Sequence, residues 1–407
     1  MNYRRKFSMN VIATAGVVSL IAACAGETES DSGGEGPVSE VSVLYHYETE
    51  PSSTAFGNAL DKCSAELELN IDVQTVPSKD IISRVLQLSS TNSLPDVLVV
   101  DNPDLQSVAE NGILTPLTEQ NLSGDGYIQG FVDAGTYEGD LYGLGPNANT
   151  LALFYNPDMF EEADLDAPTT WDELREAAER LTSGDQYGIS FAADATFETP
   201  FQWLPFLWSN GGDETELSSP QAIEALQLWT DLVESGYASE GVLNWSQADA
   251  KDQFVAGKAA MMVGGSWHVP TLREDDVSFE VVQIPIGPEG SDSISVLGGE
   301  LWTLPQTGND ARQAAGAKVI ECINSDERQL ELAEARNTVP TNLQLVEAYE
   351  SDDPSMDVFA KAVATARSRT GSLGADWPDK AEQIYQAVQL AITGKASASD
   401  ALTSAAN

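Results

Sequence analysis

The chain has 407 residues, of which 42% are hydrophobic, and its 64 acidic and 20 basic side chains give a formal net charge of −44. That length is too great for one small domain, so two compact bodies are expected, each with enough apolar side chains for a core. Without a basic stripe to meet phosphates the charge excludes a nucleic-acid partner; acids spread along the whole chain suit a surface screened by high salt, attraction of a cationic cargo being the other explanation.

The N-terminus carries Arg4, Arg5 and Lys6, then an apolar stretch over 11–23 that is short for a bilayer span, the pattern of an export leader. Residues 27–39, rich in Gly, Ser, Glu and Asp, cannot bury a core and are expected to form a flexible tether. Val41, Val43 and Tyr45 alternate as a strand, followed by His46, Tyr47 and Glu48. Ligands of open α/β sheets sit beyond the carboxyl ends of strands, so Tyr47 and Glu48 are ligand candidates. His46 and His268, the two histidines, have no surrounding Cys or acidic pattern that suggests a metal site. A helix over 55–67, a strand over 71–76 and a helix over 80–89 precede a buried strand that ends in Asp101-Asn102-Pro103. Gly112 terminates a helical turn within 108–117.

Residues 137–182 form one β-turn-α unit. A Gly-broken hairpin leads to an apolar strand over 151–155, closed by Asn156-Pro157, and Pro157 opens a short helix. Thr170 with Glu173 makes a capping box, behind which Trp171, Leu174, Ala178 and Leu181 recur at helical spacing. Beyond it the patterns predict a strand over 187–191, a helix over 221–234 capped by Ser219-Pro220, strand and loop over 281–288, helices over 312–324 and 326–335, an amphipathic helix over 381–392 and a short one over 400–405.

Tyr137-x-Gly139-x-Leu141-Tyr142-Gly143-Leu144, then Asn149-Thr150-x-Ala152-Leu153-x-Tyr155-Asn156-x-Asp158-x-Phe160-x-x-Ala163, then Pro168-x-Thr170-Trp171-Asp172-Glu173-Leu174 resemble the core signature of extracellular solute-binding proteins of ABC importers, in the maltose- and oligosaccharide-binding cluster. Phe254-x-x-Gly257-Lys258-Ala259-Ala260-Met261 with Gly264-Gly265-Ser266-Trp267 fits the same family, as do Thr199-Pro200-Phe201 leading to Asn210-Gly211-Gly212, and 95–101. The resemblance spans nearly the whole mature chain. It implies an α/β, two-lobed periplasmic-binding-protein-like fold with a ligand cleft between lobes and three interlobe crossings, near 147–151, 290–297 and 341–348. Lobe 1 would comprise 40–147 and 297–343, and lobe 2 would comprise 151–290 and 347–407.

The resemblance also implies ligand positions. Trp267 would stack on a sugar ring; Phe201 and nearby Trp203 would supply further aromatic surface, with Trp208 as core packing. Asp101 and Asn102 fall at the ligand edge of lobe 1, where Asp101 could instead merely cap the next helix. Asn149 occupies a contact position at the first crossing. Gly298 and Gly299 allow close backbone approach beside Glu300 and Trp302, and Arg369 and Trp377 belong to a region near the cleft in relatives. Leu20-Ile21-Ala22-Ala23-Cys24 is similar to the lipobox of bacterial lipoproteins, which implies cleavage of residues 1–23 and a lipid on Cys24, followed by a tether over 24–39; an ordinary secretory peptide is the alternative. Cys63 and Cys322 are then the two thiols left in an exported chain and are most simply paired, two free buried thiols being the other outcome.

The function implied is capture of a saccharide, a di- or oligosaccharide, by lobe closure, and delivery to the transmembrane subunits of a membrane permease. The protein would be a monomer held by its lipid on the outer face of the cytoplasmic membrane, without cofactor or metal. A polyol, phosphorylated polyol or polyamine cargo is the runner-up. Paired carboxylates beside a sugar cleft could also serve a hydrolase, but no Ser-His-Asp pattern, P-loop or metal cluster stands out in the sequence.

Overall fold

A computed structural model of the chain describes residues 38–46, 51–77, 80–349 and 353–406. The leader, Cys24, the tether, Tyr47 and Glu48 lie outside the described residues.

Two sheets organise the body. The first runs in the order Asn70–Thr75, Glu40–Tyr45, Val97–Asp101, Glu300–Pro305, Leu114–Thr115, and Gly143–Leu144 also pairs with Glu300–Pro305. Its first three strands are parallel, whereas Glu300–Pro305 enters antiparallel to Val97–Asp101. Val97, Leu98, Val99 and Val100 are buried without alternation, as expected of a strand covered on both faces. Helix Ser52–Leu67 packs against Asp310–Ile323 and Asp326–Arg336. Cys63 and Cys322 are disulfide-bonded between the first two of these helices, with Cα atoms 5.9 Å apart.

The second sheet runs Tyr187–Ser190, Ala259–Gly265, Leu151–Tyr155, Glu280–Val282. Helix Trp171–Leu181 starts on the expected capping box, with the Thr170 hydroxyl accepting from the Glu173 N–H and the Glu173 carboxylate accepting in return. Helices Trp377–Ile392 and Ala398–Ala405 return to pack on Pro220–Glu234. The first of these begins four residues before the expected 381. Pro378 sits in its first turn, where no N–H partner is lost.

The chain passes between the sheets where Leu144 leads to Leu151 and where Val282 leads to Glu300. These connections are bonded to one another and to later chain. Asn149 and Gly298 exchange backbone hydrogen bonds of 3.1 and 2.8 Å. Asn147–Ala148 pairs with Val339–Pro340, and Val296 bridges Arg367. The Thr150 hydroxyl donates to the Val296 carbonyl at 2.6 Å and the Ser295 hydroxyl to the Leu151 carbonyl at 2.8 Å. The molecule is thus a two-lobed α/β protein, with neighbouring strand ends of both sheets opening on one cleft.

Candidate functional site: a cleft between the lobes

The cleft holds a cavity of about 560 Å³, within the size range of small-molecule sites. On the first-sheet side its floor is a row of four charges. Glu300 and Asp101 are directly opposed in strand register. Glu300, only 5% exposed, accepts hydrogen bonds from Nη1 and Nη2 of Arg336, at 3.3 and 3.4 Å. Arg336 also donates to the Ser52 hydroxyl at 3.1 Å and lies 4.4 Å over the Phe56 ring. Asp101 accepts the Asn102 N–H at 3.0 Å and Nη2 of Arg369 at 3.3 Å. Two carboxylates side by side would repel; a guanidinium at each outer end compensates them. Asp101 is therefore both a helix cap and a cavity residue. Behind it, burial and then the Asp101 charge push the Asp104 carboxyl up to about 7, with Arg369 pulling the other way.

The opposite wall is aromatic. Strand Ala259–Gly265 delivers Trp267, whose ring centroid lies 6.3 Å from that of Phe201 on helix Glu198–Ser209. Gly265 is required there: a Cβ would overlap the Trp267 six-membered ring, closer than the 3.0 Å that real Cβ contacts essentially never cross. Gly298 plays the same part for Asn149, whose side-chain oxygen occupies the space a Cβ would need. Phe197, 55% exposed, extends the aromatic surface at the rim, edge-on to Tyr385 at 6.2 Å. Beside it the Glu198 carboxylate accepts the Gln247 N–H at 2.7 Å. Burial raises its pKa, that hydrogen bond opposes the rise, and the charges of Asp194 and Asp249 add to it. His268 packs on Trp267 at 5.5 Å, and burial followed by the charge of Lys251 depresses its pKa to about 3, keeping it neutral.

Of the expected ligand positions, Trp267, Asn149, Asp101, Phe201, Glu300 and Arg369 line the cavity. Four others do not. Asn102 is fully buried and pins the second crossing, its amide donating to the Leu297 and Gly299 carbonyls at 3.2 and 3.1 Å. Trp203 is core: two residues beyond Phe201 on helix Glu198–Ser209, it is turned away from the cavity and fully buried among the second-sheet apolar side chains. Trp208 is core too, as expected. Trp302 follows Glu300 on the same strand face but lies beneath helix Ser52–Leu67, 5.7 Å from Phe56. Trp377, the first residue of its helix, is 3% exposed in the second-sheet core.

Ser52, Phe197, Glu198, Gln247, Arg336 and Thr338, none of them expected from the sequence, also line the cavity, as does His46, for which the sequence suggested no role. Arg336 closes an otherwise ordinary helix, and its partner is 36 residues away. Glu198 is one acid among 64 acidic residues. Phe197 alone carried a signal: an aromatic residue four positions before the expected stacking residue Phe201. Among the described residues no group of three or more His, Cys, Asp or Glu could hold a metal ion, and no helix is long and apolar enough to cross a membrane.

Residues 58–401 match the family described as bacterial extracellular solute-binding protein, and the chain belongs to that family, whose members bind solutes rather than transform them. It is similar to the galactooligosaccharide-binding protein of Bacillus subtilis, with 21% identity over 100% of this chain and 97% of the relative. The crystal structure of the cyclic alpha-maltosyl-1,6-maltose binding protein from Arthrobacter globiformis superposes with a TM-score of 0.80 and 25% identity, covering 91% of this chain and 97% of that one. UgpB from Mycobacterium tuberculosis, in complex with glycerophosphocholine, shares the fold with a TM-score of 0.77 and 17% identity, over 91% and 97%.

Proposed function

We propose that the protein is the cargo-capturing component of an ABC importer and that its cargo is a di- or oligosaccharide. The observation that carries this is the pairing of unlike walls: Trp267 and Phe201 face a floor of Asp101, Glu300, Arg336 and Arg369 across one cavity. Pyranose rings present apolar C–H faces and a polar rim of hydroxyls, which match rings and charge-assisted hydrogen bonds respectively. Two of the three relatives named above bind saccharides, which supports the same reading. The cargo contacts would be complete only when the lobes meet, so cargo shifts an open–closed equilibrium by its differential affinity, and the closed form is what a permease would recognise. In this scheme lobe 1 is 40–147 with 297–343, lobe 2 is 151–290 with 347–407, and a lipid on Cys24 holds the monomer at the outer face of the cytoplasmic membrane.

Arginines in the floor favour a phosphorylated polyol as the second reading. Each already faces a carboxylate, Arg336 with Glu300 and Arg369 with Asp101, so a phosphate would have to displace an anion. A thermal-shift screen of saccharides, polyols, glycerophosphodiesters and polyamines, followed by calorimetry and a search for hydrolysis products, tests the proposal. Stabilisation by unmodified saccharides is expected. A response confined to phosphorylated or cationic compounds, or release of sugar products, would overturn it.

A further inference from the structure

The segment between helices Pro354–Ala364 and Trp377–Ile392 carries two arginines that reach in different directions. Arg367 is tied to the second-sheet side. Its backbone pairs with the crossing through Ser295 and Leu297, at 2.9 and 2.8 Å. Its Nη2 donates to Asp213 at 2.8 Å and Glu214 at 3.3 Å, and its guanidinium lies 4.8 Å over Trp208. Two residues later Arg369 spans the cleft. Its Nη2 donates to Asp101 at 3.3 Å and to the Asn102 side-chain oxygen at 3.4 Å, both at the end of a first-sheet strand. Its guanidinium lies 4.9 Å over the ring of Phe201, which belongs to the second-sheet half. On either side of Arg369, the Ser368 and Thr370 hydroxyls lie 3.1 Å apart and the Thr370 N–H donates to Ser368 at 3.2 Å, closing a tight local turn.

Arg369 is only 6% exposed, lines the cavity, and its buried Nε–H has no acceptor among the described residues. A buried donor left without a partner is costly, and a ligand oxygen that meets it recovers that cost.

We infer that Arg369 is the positioning residue that couples cargo capture to lobe closure. Its two supports come from different lobes, a carboxylate on one and a ring face on the other, so separating the lobes must break at least one of them. While both hold, Nε–H is fixed in the cavity wall, where it donates to a hydroxyl or ring oxygen of the cargo. Cargo thereby favours the closed arrangement through the residue that joins the halves. The donation to cargo rests on the saccharide reading above; the bridging of the lobes does not.

The experiment has two arms on the full mature chain. Small-angle X-ray scattering without cargo reports lobe opening, and calorimetry with a saccharide series (maltose to maltotetraose, and galactobiose to galactotetraose) reports affinity. Arg369→Gln is expected to enlarge the cargo-free radius of gyration. Asp101→Asn should do the same, and the double variant should open no further than Arg369→Gln alone, because that change already removes every contact Arg369 makes across the cleft. Arg369→Lys keeps a cation that can meet both Asp101 and the face of Phe201 but loses the Nε–H. It should stay near the wild-type opening and lose about tenfold or more in saccharide affinity. Wild-type dimensions for folded Arg369→Gln and Asp101→Asn, checked by circular dichroism, overturn the coupling. Wild-type affinity in Arg369→Lys overturns the donation to cargo. If the wild-type chain binds neither series, the saccharide reading and the donation both fall, while the scattering arm still decides the coupling.

Discussion

Replacing Gly265 by alanine isolates the role of the Trp267 ring without touching that ring. The backbone there has φ −105°, which alanine adopts freely, so the change is steric and not conformational. The added methyl would overlap three ring atoms of Trp267, and ordinary contact begins near 3.4 Å. The indole must shift by about 1 Å or more, and a misplacement of that size in a binding group costs up to roughly 100-fold. The expected loss of saccharide affinity is about 10- to 100-fold, equivalent to roughly 1.4–2.8 kcal/mol, with Trp267→Ala at the upper end or beyond. Calorimetry measures the affinity; thermal melting checks that the strand Ala259–Gly265 survives. Unchanged affinity in Gly265→Ala, beside a large loss in Trp267→Ala, would refute the claim that the glycine sets the ring. No loss in either variant would refute the aromatic wall as the cargo surface.

Removing the Cys63–Cys322 bond by Cys63→Ser with Cys322→Ser frees a loop of separation 259 and should cost about 3–5 kcal/mol, visible as a lower denaturation midpoint; a change under 1 kcal/mol would show that the unfolded chain gains little by its release. Asp104 binds its proton up to about pH 7 when folded and only to the ordinary carboxyl value of 3.8 when unfolded, so its contribution to stability is present below pH 4 and is lost as pH rises towards 7. Asp104→Asn should raise the melting temperature at pH 8 by the equivalent of about 1–2 kcal/mol, after allowance for solvent screening, and leave it unchanged at pH 4; an equal gain at both values would point to packing instead. Phe197→Ala removes the rim ring and should weaken tetrasaccharides several-fold more than disaccharides in the same titration series, whereas equal weakening would assign Phe197 to the inner subsite.

Local signals were legible where local physics decides the structure. The capping box of Thr170 and Glu173 and the Ser219-Pro220 start formed as expected. Gly298 was legible as a close-approach position, and the structure shows Asn149 filling the space its missing side chain leaves. Aromatic residues were harder. Trp203, Trp302 and Trp377 share composition and neighbourhood with Trp267, yet each is covered by a helix or lies on one, which only tertiary packing determines. Helix Pro354–Ala364 carried no prediction, and it now packs on the strand Leu151–Tyr155. Three of the four charges on the cleft floor were visible. Asp101, Glu300 and Arg369 stood near recognisable motifs, while Arg336 and Ser52 arrive from helices whose ends meet only after folding.

The antiparallel strand Glu300–Pro305 has a bearing on the order of assembly. The four strands of the second sheet all lie within 151–282, so that sheet can close on itself as a local unit. The first sheet starts earlier in the chain but lacks a central member until residue 300 has emerged, and helix Asp310–Ile323, bearing the sulfur partner of Cys63, follows later still. The sheet that begins first is therefore the last to be finished. Until then its Val97–Asp101 edge stays unpaired on one side, a template for wrong pairing during biogenesis.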